Sequence, residues 1–529
     1  MITFRPAPPM TITRCKDHVF SMRLKRFPEP AIQQWFGYNR RDFFYMIANE
    51  RAEVTSVSNE VHLFFLDKRH QFMLDAIAEI NRVDVNARLI VVDVGAFDYP
   101  LQAPWRVGGV GRNRSKKVSS LFSKMGIEYI DGSKLRPPNV SLTKDEMRKL
   151  EIAIRSTVIS WQQRALRPNR KPGIIETYVE NRIRRQSKHL FSVAAELIRQ
   201  YSASKIYLEN GRFGAPHAIL LAAQRKALEV TFTGSYVSNR TLYARSVRVH
   251  DRVEMQRHAM QITVDLPRKS VEKLAQTALE RSNSKKTKDV GFTELWTSPW
   301  KGPNNSLALF ATSSSDETDS TDLEWGASRW ENQYQAFSAI WKELSDQQLT
   351  PVLRIHPNML NKNPWSAWEE LKIIKKFSKN NPEFHIVWPA STTSTYELMS
   401  FSNIVIVENS TVGQEASLQG LPIICTQSAA YDLIADVTAV YGPEDLPKIR
   451  AMDARSDPLG AQRYVAAQEI LDKYIPPNPF GVNVDNFPKL KLIIPSLLDG
   501  SAISMLYEFR WRIYRVVMLK ISPKNDTIR

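Results

Sequence analysis

The chain has 529 residues, too many for one hydrophobic core, so its length predicts two or more domains. Its composition, 43% hydrophobic and 24% charged, is typical of a soluble globular protein, and two cysteines far apart in sequence exclude a disulfide scaffold. No apolar run reaches the ~18 residues of a membrane span, and the N-terminus lacks the apolar core of a signal peptide. We therefore expect a cytoplasmic protein.

The charge balance points to an anionic partner. The chain carries 72 basic and 55 acidic residues, a formal net charge of +17. Such an excess is typical of proteins that meet nucleic acid, an acidic membrane surface or a phosphorylated substrate, although basic faces can also serve solubility alone. Because the basic residues are scattered and no RNA- or DNA-binding module is recognisable, we expect no nucleic-acid partner.

The first 60 residues contain no interpretable motif and form an N-terminal extension. The apolar runs 61–66 and 88–94 predict buried strands, with a helical pattern at 73–81 between them. This βαβ unit opens a first Rossmann-like domain, which we place at 61–290. Long helical patterns follow at 142–203, and a basic group within 179–200 leaves open whether it attracts an anion or is an ordinary solvated face.

A polar turn follows the predicted strand 206–208. Its residues are Glu209, Asn210, Gly211 and Arg212, and a helix with Pro216 in its first turn comes next. Because α/β proteins build sites on turns between strand and helix, Glu209 is a candidate site residue. Asn-Gly is also common in turns for conformational reasons alone.

A charged stretch at 282–289 has no apolar periodicity and predicts the boundary to a second Rossmann-like domain at 300–445. Three predicted strands of this domain end in polar residues. These are Ser313 and Ser314 after 307–312, His356-Pro357 after 351–355, and Glu408-Asn409-Ser410-Thr411 after 403–407. Ser410 or Thr411 is a natural N-cap for the helix that follows. In an open parallel sheet the ligand crevice lies at the carboxyl ends of the strands, so we expect these residues in one crevice.

The tail at 446–529 is predicted to be largely helical. Apolar residues recur at three- and four-residue steps within 503–517, with Trp and Tyr beside them. Two interpretations remain open, an interfacial helix on an anionic membrane and a helix packed on the protein.

The motifs of the second domain carry a resemblance to a known family. The segments Arg354-x-His356-Pro357, Glu408 to Ala416 and Phe310 to Ser314 together resemble capsular polysaccharide biosynthesis glycosyltransferases of the GT-B type, the Kdo-transferase-like and polysialyltransferase-like group. Members that use CMP-activated sugars share an acidic turn, a His-Pro and a hydroxyl pair. This chain offers Glu209-Asn210-Gly211, His356-Pro357 and Ser410-Thr411 in that order, with Asn210 departing from the acidic pattern. The resemblance covers residues 200–430.

The resemblance implies a fold and an activity. The fold is GT-B-like α/β, with two Rossmann-like domains facing a cleft and a C-terminal helical tail. The activity is inverting transfer of a sugar from a nucleotide-sugar donor to a glycan or lipid-linked acceptor in bacterial capsule or lipopolysaccharide-type assembly, and a CMP-linked donor is one option. Such an enzyme would be cytoplasmic or peripheral on the inner face of the membrane. Its partners would be the nucleotide sugar, the acceptor and an anionic membrane surface.

The implied chemistry assigns a role to each candidate residue. Glu209 would be the general base for the acceptor hydroxyl, and His356 would act on the leaving phosphate. Donor contacts would come from Arg354, His356, Ser410, Thr411, Glu415, Ser313 and Ser314. Arg354 would reach phosphate or pair with Glu415, and Glu415 would hold a ribose hydroxyl or form a structural ion pair.

The chain has no Asp-x-Asp triplet of the kind that holds Mg²⁺ on a sugar diphosphate, so we expect metal-independent transfer with no cofactor besides the donor substrate. The histidines lack zinc-ligand spacing with cysteines, and no P-loop motif is present. Other readings remain open: a CDP-polyol phosphotransferase, a UDP-sugar epimerase, or a non-catalytic partner in capsule assembly.

Overall fold

A computed structural model describes most of the chain between residues 60 and 474. The described residues are 60–66, 87–94, 127–162, 174–235, 242–246, 250–286, 299–303, 306–314, 328–357, 364–389, 393–453 and 455–474, with 77, 80, 119, 122, 248, 318, 325, 326, 359 and 391 singly. They form two six-stranded sheets with helices around them. The predicted α/β fold with two Rossmann-like sheets is confirmed. Residues 1–59 of the predicted extension and the tail beyond residue 474 lie outside the described residues. So do residues 105–118, most of a basic segment at 105–120 that the sequence predicts to be a loop.

The first sheet has the order β3-β2-β1-β4-β5-β6. Its strands are β1 Val61–Leu66, β2 Arg88–Asp93, β3 Glu128–Asp131, β4 Lys205–Glu209, β5 Glu229–Ser235 and β6 Leu242–Arg245. All neighbouring pairs are parallel except β5 and β6. In β1, Leu63 and Phe65 enter one core cluster while Phe64 and Leu66 enter another. Because both faces are covered, the strand is a continuous apolar run rather than an alternating one.

Three helices pack with this sheet: α1 Lys144–Gln162, α2 Ile174–Tyr201 and α3 Gly214–Arg225. Within the basic group predicted on α2, Arg184 is paired with two carboxylates. Its Nε donates to Glu151 at 2.6 Å and its Nη2 to Glu180 at 2.6 Å. These hydrogen bonds, Glu151 first, raise the pKa of Arg184 against the opposing effect of burial. Arg184 therefore stabilises the contact between α1 and α2.

Two further helices, α4 Arg252–Thr263 and α5 Arg268–Lys286, precede the second sheet in sequence. Both pack against a helix from the far end of the described chain, Leu459–Tyr474. Helix α5 extends into the charged stretch that predicted the linker. The domain limits at 290 and 300 stay a prediction.

The second sheet has the order β12-β11-β10-β7-β8-β9, and all its neighbouring pairs are parallel. Its strands are β7 Leu307–Ala311, β8 Thr350–Arg354, β9 His385–Val387, β10 Ser402–Val407, β11 Ile423–Cys425 and β12 Thr438–Ala439. The helices between them are α6 Gln333–Leu344, α7 Pro364–Asn380, α8 Thr395–Ser400 and α9 Thr411–Leu418, and α10 Leu459–Tyr474 closes the unit. The short β9 and α8 were not predicted, because elements of three and six residues are too short to show a period.

The two sheets share one topology. Numbered within each sheet, both follow the strand order 3-2-1-4-5-6 of doubly wound nucleotide-binding folds. In that order the direction of winding reverses between the first and fourth strands, and a ligand crevice opens there at the carboxyl ends. The crevices are therefore expected after β1 and β4 in the first sheet, and after β7 and β10 in the second.

Candidate functional site

The crevice of the second sheet is built by the residues that follow β7. The Thr312 hydroxyl accepts a hydrogen bond from the His356 backbone N–H at 2.7 Å. The Ser313 N–H donates to the Gln333 side-chain oxygen at 2.9 Å, and the Asn409 N–H approaches the Ser313 hydroxyl at 3.5 Å. These bonds bring the ends of β7, β8 and β10 together. Three predicted signatures thus meet at the reversal point of the sheet.

The hydroxyl pair opens helix α9 as predicted, with Ser410 at the N-cap. Its Oγ accepts from the Val412 N–H at 3.3 Å, and its carbonyl accepts from the Tyr431 hydroxyl at 2.7 Å. Gly413 is required beside this bond, because a Cβ there would collide with the Tyr431 hydroxyl. Thr411, the first helical residue, is exposed. The side chain of Thr411 is therefore accessible to a ligand, while Ser410 has a structural task as well.

Arg354 lies beneath the crevice with an exposed fraction of 1%. Its Nη1 donates to the Trp388 carbonyl at 2.7 Å, and its Nε donates to the Thr395 hydroxyl at 3.4 Å. These bonds join the end of β8 to the end of β9 and the start of α8. Arg354 therefore organises the floor of the crevice, and its predicted contact with a phosphate stays a prediction.

Glu415, one turn into α9, accepts a hydrogen bond from the Tyr396 hydroxyl at 3.4 Å. Burial, and then the Glu415 charge, raise the pKa of Tyr396, so this tyrosine stays protonated and remains a donor. The Ser313 and Ser314 side chains are both 5% exposed and line the inner end of the β7 loop. The ribose role of Glu415 and the donor roles of both serines stay predictions.

Sequence reasoning missed two polar residues behind this crevice. Tyr334 on α6 donates to Glu370 at 3.0 Å, and burial followed by the charges of Glu370 and Glu408 raises the Tyr334 pKa. Gln427 follows β11, donates from its N–H to the Glu408 carbonyl at 3.2 Å, and is 1% exposed. Neither residue sits in a recognisable motif. The sequence signal that could have indicated Gln427 is its position among polar residues directly after the apolar run of β11.

In the first sheet, Glu209 ends β4 at the reversal point, as its position in sequence predicts. Asn210 and Gly211 have φ angles of 60° and 70°, so the turn is left-handed at two successive residues. A Cβ at Gly211 would come within 2.6 Å of Phe232, and glycine is required for both reasons. Asn210 and Gly211 are therefore explained by the left-handed conformation of the turn. The same turn fixes the position of Glu209.

His217 in the first turn of α3 supports this turn from below. Its Nδ1 lies 2.9 Å from the Gly211 carbonyl, which can only accept, so Nδ1 carries the proton. Burial first, and then Arg248 and Lys149, lower the His217 pKa to about 4, although the bond to Gly211 opposes this. His217 is therefore neutral at pH 7.

Arg248 and residues 250–256 connect the two sheets. The Arg248 side chain packs on Gly211 of the first sheet. Its Cδ would lie 3.2 Å from a Cβ if Gly211 were replaced by a residue with a side chain. Arg252 forms a bidentate ion pair with Asp432, which follows β11, with both bonds at 2.7 Å. The Trp325 indole also donates to the His250 carbonyl at 2.7 Å. One short segment thus contacts the Glu209 turn at one end and the second sheet's loops at the other.

The part of the chain that the structure describes contains no group of three or more His, Cys, Asp or Glu residues arranged to hold a metal ion. A cluster of carboxylates in the sequence, at residues 316, 317, 319 and 322, lies outside the described residues. Metal-independent transfer stays a prediction. Within the same described residues no helix is long and apolar enough to cross a membrane.

Comparisons with known proteins give similarities of fold. No family model and no curated protein sequence matches the chain. Among solved structures, the chain is similar to Thermosulfurimonas dismutans KpsC, a beta Kdo 2,7 transferase, at 14% identity and a TM-score of 0.33, covering 52% of this chain and 79% of that one. It is also similar to UDP-GlcNAc 2-epimerases from Methanocaldococcus jannaschii and from Neisseria meningitidis.

The Methanocaldococcus enzyme is 11% identical with a TM-score of 0.29, covering 78% of this chain and 99% of that one. The Neisseria enzyme, bound to UDP-GlcNAc, is 13% identical with a TM-score of 0.27, covering 79% and 99%. Both transferases and epimerases therefore occur among the similar structures. Identities and TM-scores this low say nothing of the reaction of this chain.

Proposed function

We propose that the chain is a glycosyltransferase that transfers a sugar from a nucleotide-sugar donor to a hydroxyl of a glycan or lipid-linked acceptor in cell-surface polysaccharide assembly. One observation carries the proposal. Two sheets of nucleotide-binding topology each present polar residues at their reversal point, a carboxylate in the first and a hydroxyl and His-Pro set in the second. An acceptor site and a donor site on separate sheets are what a sugar transfer between two substrates needs.

In the proposed reaction the acceptor oxygen attacks the anomeric carbon of the donor. The new C–O bond forms as the bond from that carbon to the phosphate oxygen breaks, and the configuration inverts. The acceptor proton passes to the Glu209 carboxylate, and the nucleotide leaves with the electron pair of the broken bond. General base catalysis of this kind contributes about 10²- to 10⁴-fold.

The leaving phosphate gains negative charge and needs donors placed before the reaction begins. In this proposal they are the His356 imidazole, the Thr411 and Ser410 hydroxyls and the N–H groups at the start of α9. Arg354 supports the phosphate site by holding the crevice floor in place. Glu415, which accepts a hydrogen bond from Tyr396, binds a ribose hydroxyl. Ser313 and Ser314 border the same space on the β7 side.

Nucleotide binding is the first test. Melting temperatures of the full chain with CMP, CDP, UDP and GDP show which nucleotide binds the folded form, since such a ligand stabilises by about 2.7 kcal/mol at a hundredfold excess over its Kd. We expect one pyrimidine nucleotide to raise the melting temperature. A shift that His356→Ala diminishes supports a donor site in the second sheet, and no shift with any of the four contradicts the proposal.

Transfer is the second test. With the nucleotide identified, Glu209→Gln is expected to lower transfer by at least about 10²-fold while the nucleotide shift stays, because the base and the donor site lie on different sheets. We also expect the transfer rate to be unchanged by EDTA, because we propose that transfer needs no metal ion. Interconversion of UDP-sugar epimers would favour an epimerase, and transfer of a polyol phosphate from a CDP-polyol would favour a phosphotransferase. If Glu209→Gln and His356→Ala both complemented a null mutant fully, a non-catalytic partner would be favoured.

A further inference from the structure

Two buried glutamines at the crevice of the second sheet differ in how their side chains are bonded. The Gln333 carboxamide is fully used, since its Oε1 accepts from the Ser313 N–H at 2.9 Å and its Nε2 donates to the Ser313 carbonyl at 3.2 Å. Gln427 is 1% exposed, and neither its Oε1 nor its Nε2 has a hydrogen-bond partner among the residues that the structure describes. Gln333 therefore has a structural task that Gln427 does not share.

A buried carboxamide without partners is unfavourable. A donor or acceptor that loses its water on folding and gains no protein partner keeps the full cost of leaving water, and a carboxamide contains both kinds of group. An apolar side chain of the same size would fill the place of Gln427 without that cost. A ligand that supplies the missing donor and acceptor would remove the same cost on binding.

Gln427 lies beside the residues that open helix α9. Its backbone N–H donates to the carbonyl of Glu408, the last but one residue before Ser410. Tyr431, further along the same loop, donates from its hydroxyl to the Ser410 carbonyl at 2.7 Å. The loop after β11 is thus bonded both to the end of β10 and to the N-cap of α9. Gln427 is held between these two bonds.

The surroundings of Gln427 are polar and rich in hydroxyls. Thr426 and Ser428, its neighbours in sequence, are both buried. The buried residue Ser313 of the loop after β7 reaches the same strand end, where its hydroxyl lies 3.5 Å from the Asn409 N–H. Hydroxyls and a carboxamide complement a ligand with many hydroxyls, whereas a flat base or an apolar group would leave them unpaired.

The Gln427 carboxamide can turn towards a ligand at small cost. Its side chain has three rotatable bonds, and no hydrogen bond of the described residues has to break when they rotate. The same movement of Gln333 would break both of its bonds to Ser313. Gln427 is therefore the more adaptable of the two glutamines, even though both are buried.

We propose that Gln427 is a specificity-determining residue that binds two neighbouring hydroxyls of the transferred sugar, with Oε1 accepting from one hydroxyl and Nε2 donating to the oxygen of the next. The inference rests on the proposed function, in which the donor phosphate lies at Ser410 and Thr411. The transferred sugar is bonded to that phosphate and occupies the space beside it. The ribose of the nucleotide carries the same pair of hydroxyls, and the proposed function assigns it to Glu415.

The first test needs no ligand and compares two substitutions of equal chemistry. Gln427→Met keeps the length of the side chain and removes the unpaired polar atoms, so the unit that contains the second sheet should melt at or above the wild-type temperature. Gln333→Met leaves the Ser313 N–H and carbonyl without partners and should lower that temperature by at least about 2 °C. Equal destabilisation by both substitutions would show that Gln427 is held by structural bonds and would overturn the inference.

The second test measures sugar binding. UDP-glucose, GDP-mannose and CMP-N-acetylneuraminate are titrated into the full chain, each beside its free nucleotide UDP, GDP or CMP, with heat of binding as the readout. We expect one conjugate to bind more tightly than its free nucleotide. Gln427→Met should weaken that conjugate by ~10-fold, since two neutral hydrogen bonds together contribute about 1.4 kcal/mol. Its affinity for the free nucleotide should equal that of the wild type.

Gln347→Met is the matched control, because Gln347 is an exposed glutamine of the same unit. It should match the wild type in both tests. Three results would overturn the inference: equal binding of the conjugate by Gln427→Met and wild type, an equal loss for the free nucleotide, and wild-type conjugates that bind no more tightly than free nucleotides. The second of these would identify the ribose as the group bound.

The same measurements separate this inference from the proposed function. The absence of binding by every nucleotide and every conjugate in the wild type would contradict the transferase. Nucleotide binding with a conjugate that ignores Gln427 would contradict the sugar contact alone. The melting comparison of Gln427→Met with Gln333→Met bears on Gln427 whichever nucleotide is bound, and it also shows whether each variant is folded.

Discussion

At the scale of single residues, burial decides which groups of this protein carry charge at neutral pH. His217 and His250 are held neutral, and burial also raises the pKa of the Cys425 thiol to about 12, with the Tyr431 hydrogen bond opposing the shift. Cys425 is therefore unreactive as a thiolate at pH 7. The positive charges near the Glu209 turn are therefore those of arginine, which stays protonated in a protein interior.

The neutral state of His217 predicts a pH dependence of stability. Its pKa is about 4 in the folded protein and ~6.5 in the unfolded chain, so the unfolded state takes up the proton first as the pH falls. The contribution of His217 is fully present above pH ~6.5 and is lost as the pH falls towards 4. The loss should approach about 1.4 kcal/mol per pH unit within that window.

Urea unfolding at pH 7, 6 and 5 measures this dependence. His217→Asn should reduce the slope, because the asparagine amide can still donate to the Gly211 carbonyl but does not titrate. The remaining slope comes in part from His250, whose pKa burial lowers to about 3. His189→Asn is the matched control. Its pKa is lowered as well, chiefly by burial and then by Arg136, but it is less buried, so its removal should change the slope less. The same slope for wild type and His217→Asn would contradict the neutral assignment.

At the scale of elements, the start of helix α4 is fastened to the loop after β11. Asp432, whose side chain is 1% exposed, accepts both bonds of the Arg252 ion pair and a third bond from the Tyr441 hydroxyl at 2.5 Å. The Gln256 carboxamide oxygen accepts from the Leu433 N–H at 2.7 Å. Residues almost two hundred positions apart are thereby joined, and the segment that carries Arg248 is held to the second sheet.

Asp432→Asn is expected to destabilise the protein by about 3–5 kcal/mol, because it leaves the Arg252 guanidinium in a buried place without its counter-charge. The control is Glu272→Gln, which breaks the exposed ion pair with Arg268 and should change the free energy of unfolding by at most ~0.5 kcal/mol. Urea denaturation of both variants measures the difference. If the two substitutions have equal effects, the Arg252 pair contributes no more than a surface pair does.

At the scale of the whole molecule, two sheets of the same topology are each covered on both faces by their own core clusters. Separate cores predict separate unfolding. We expect calorimetry to give a calorimetric enthalpy above the van't Hoff enthalpy, as in proteins that do not unfold in one step. The bound nucleotide should raise the transition of the second unit more than that of the first.

His356→Ala provides the control for this experiment, since it should abolish the nucleotide effect on the second unit and leave both transitions present. One transition with equal enthalpies would contradict independent cores.

The net charge of +17 also belongs to this scale. An anionic membrane surface as partner remains a prediction, because the tail on which it depends lies outside the described residues.

Much of this architecture follows from local patterns of the sequence. The apolar runs at β1, β8 and β10 predict their strands because a strand buried on both faces must be apolar throughout. Ser410 or Thr411 was predicted as an N-cap because a short hydroxyl before a helical pattern satisfies the first N–H groups, and the structure places Ser410 there. Parallel strands place their carboxyl ends at one edge, so the meeting of Ser313, His356 and Ser410 was predictable too.

Other features depended on contacts between residues that are distant in sequence. The pairing of β1 with β4 and of β7 with β10 sets both reversal points, and no local pattern encodes which strands become neighbours. Arg354 was predicted to reach a phosphate or pair with Glu415, but its depth and its bonds to Trp388 and Thr395 became visible only in the folded chain. Tyr334 and Gln427 came into view for the same reason.

The sequence by itself determined the α/β class and the polar strand ends that include Glu209, His356, Ser410 and Thr411, because these depend on apolar periodicity, capping and the position of polar residues after strands. The roles of these four residues are implied by the family resemblance and stay predictions. The tertiary structure alone decided that Arg212, Arg248 and His217 meet at one turn and that Arg252 joins Asp432. Hydrogen bonds, burial and electrostatic fields act through space. Their partners are chosen by the packing of the whole chain.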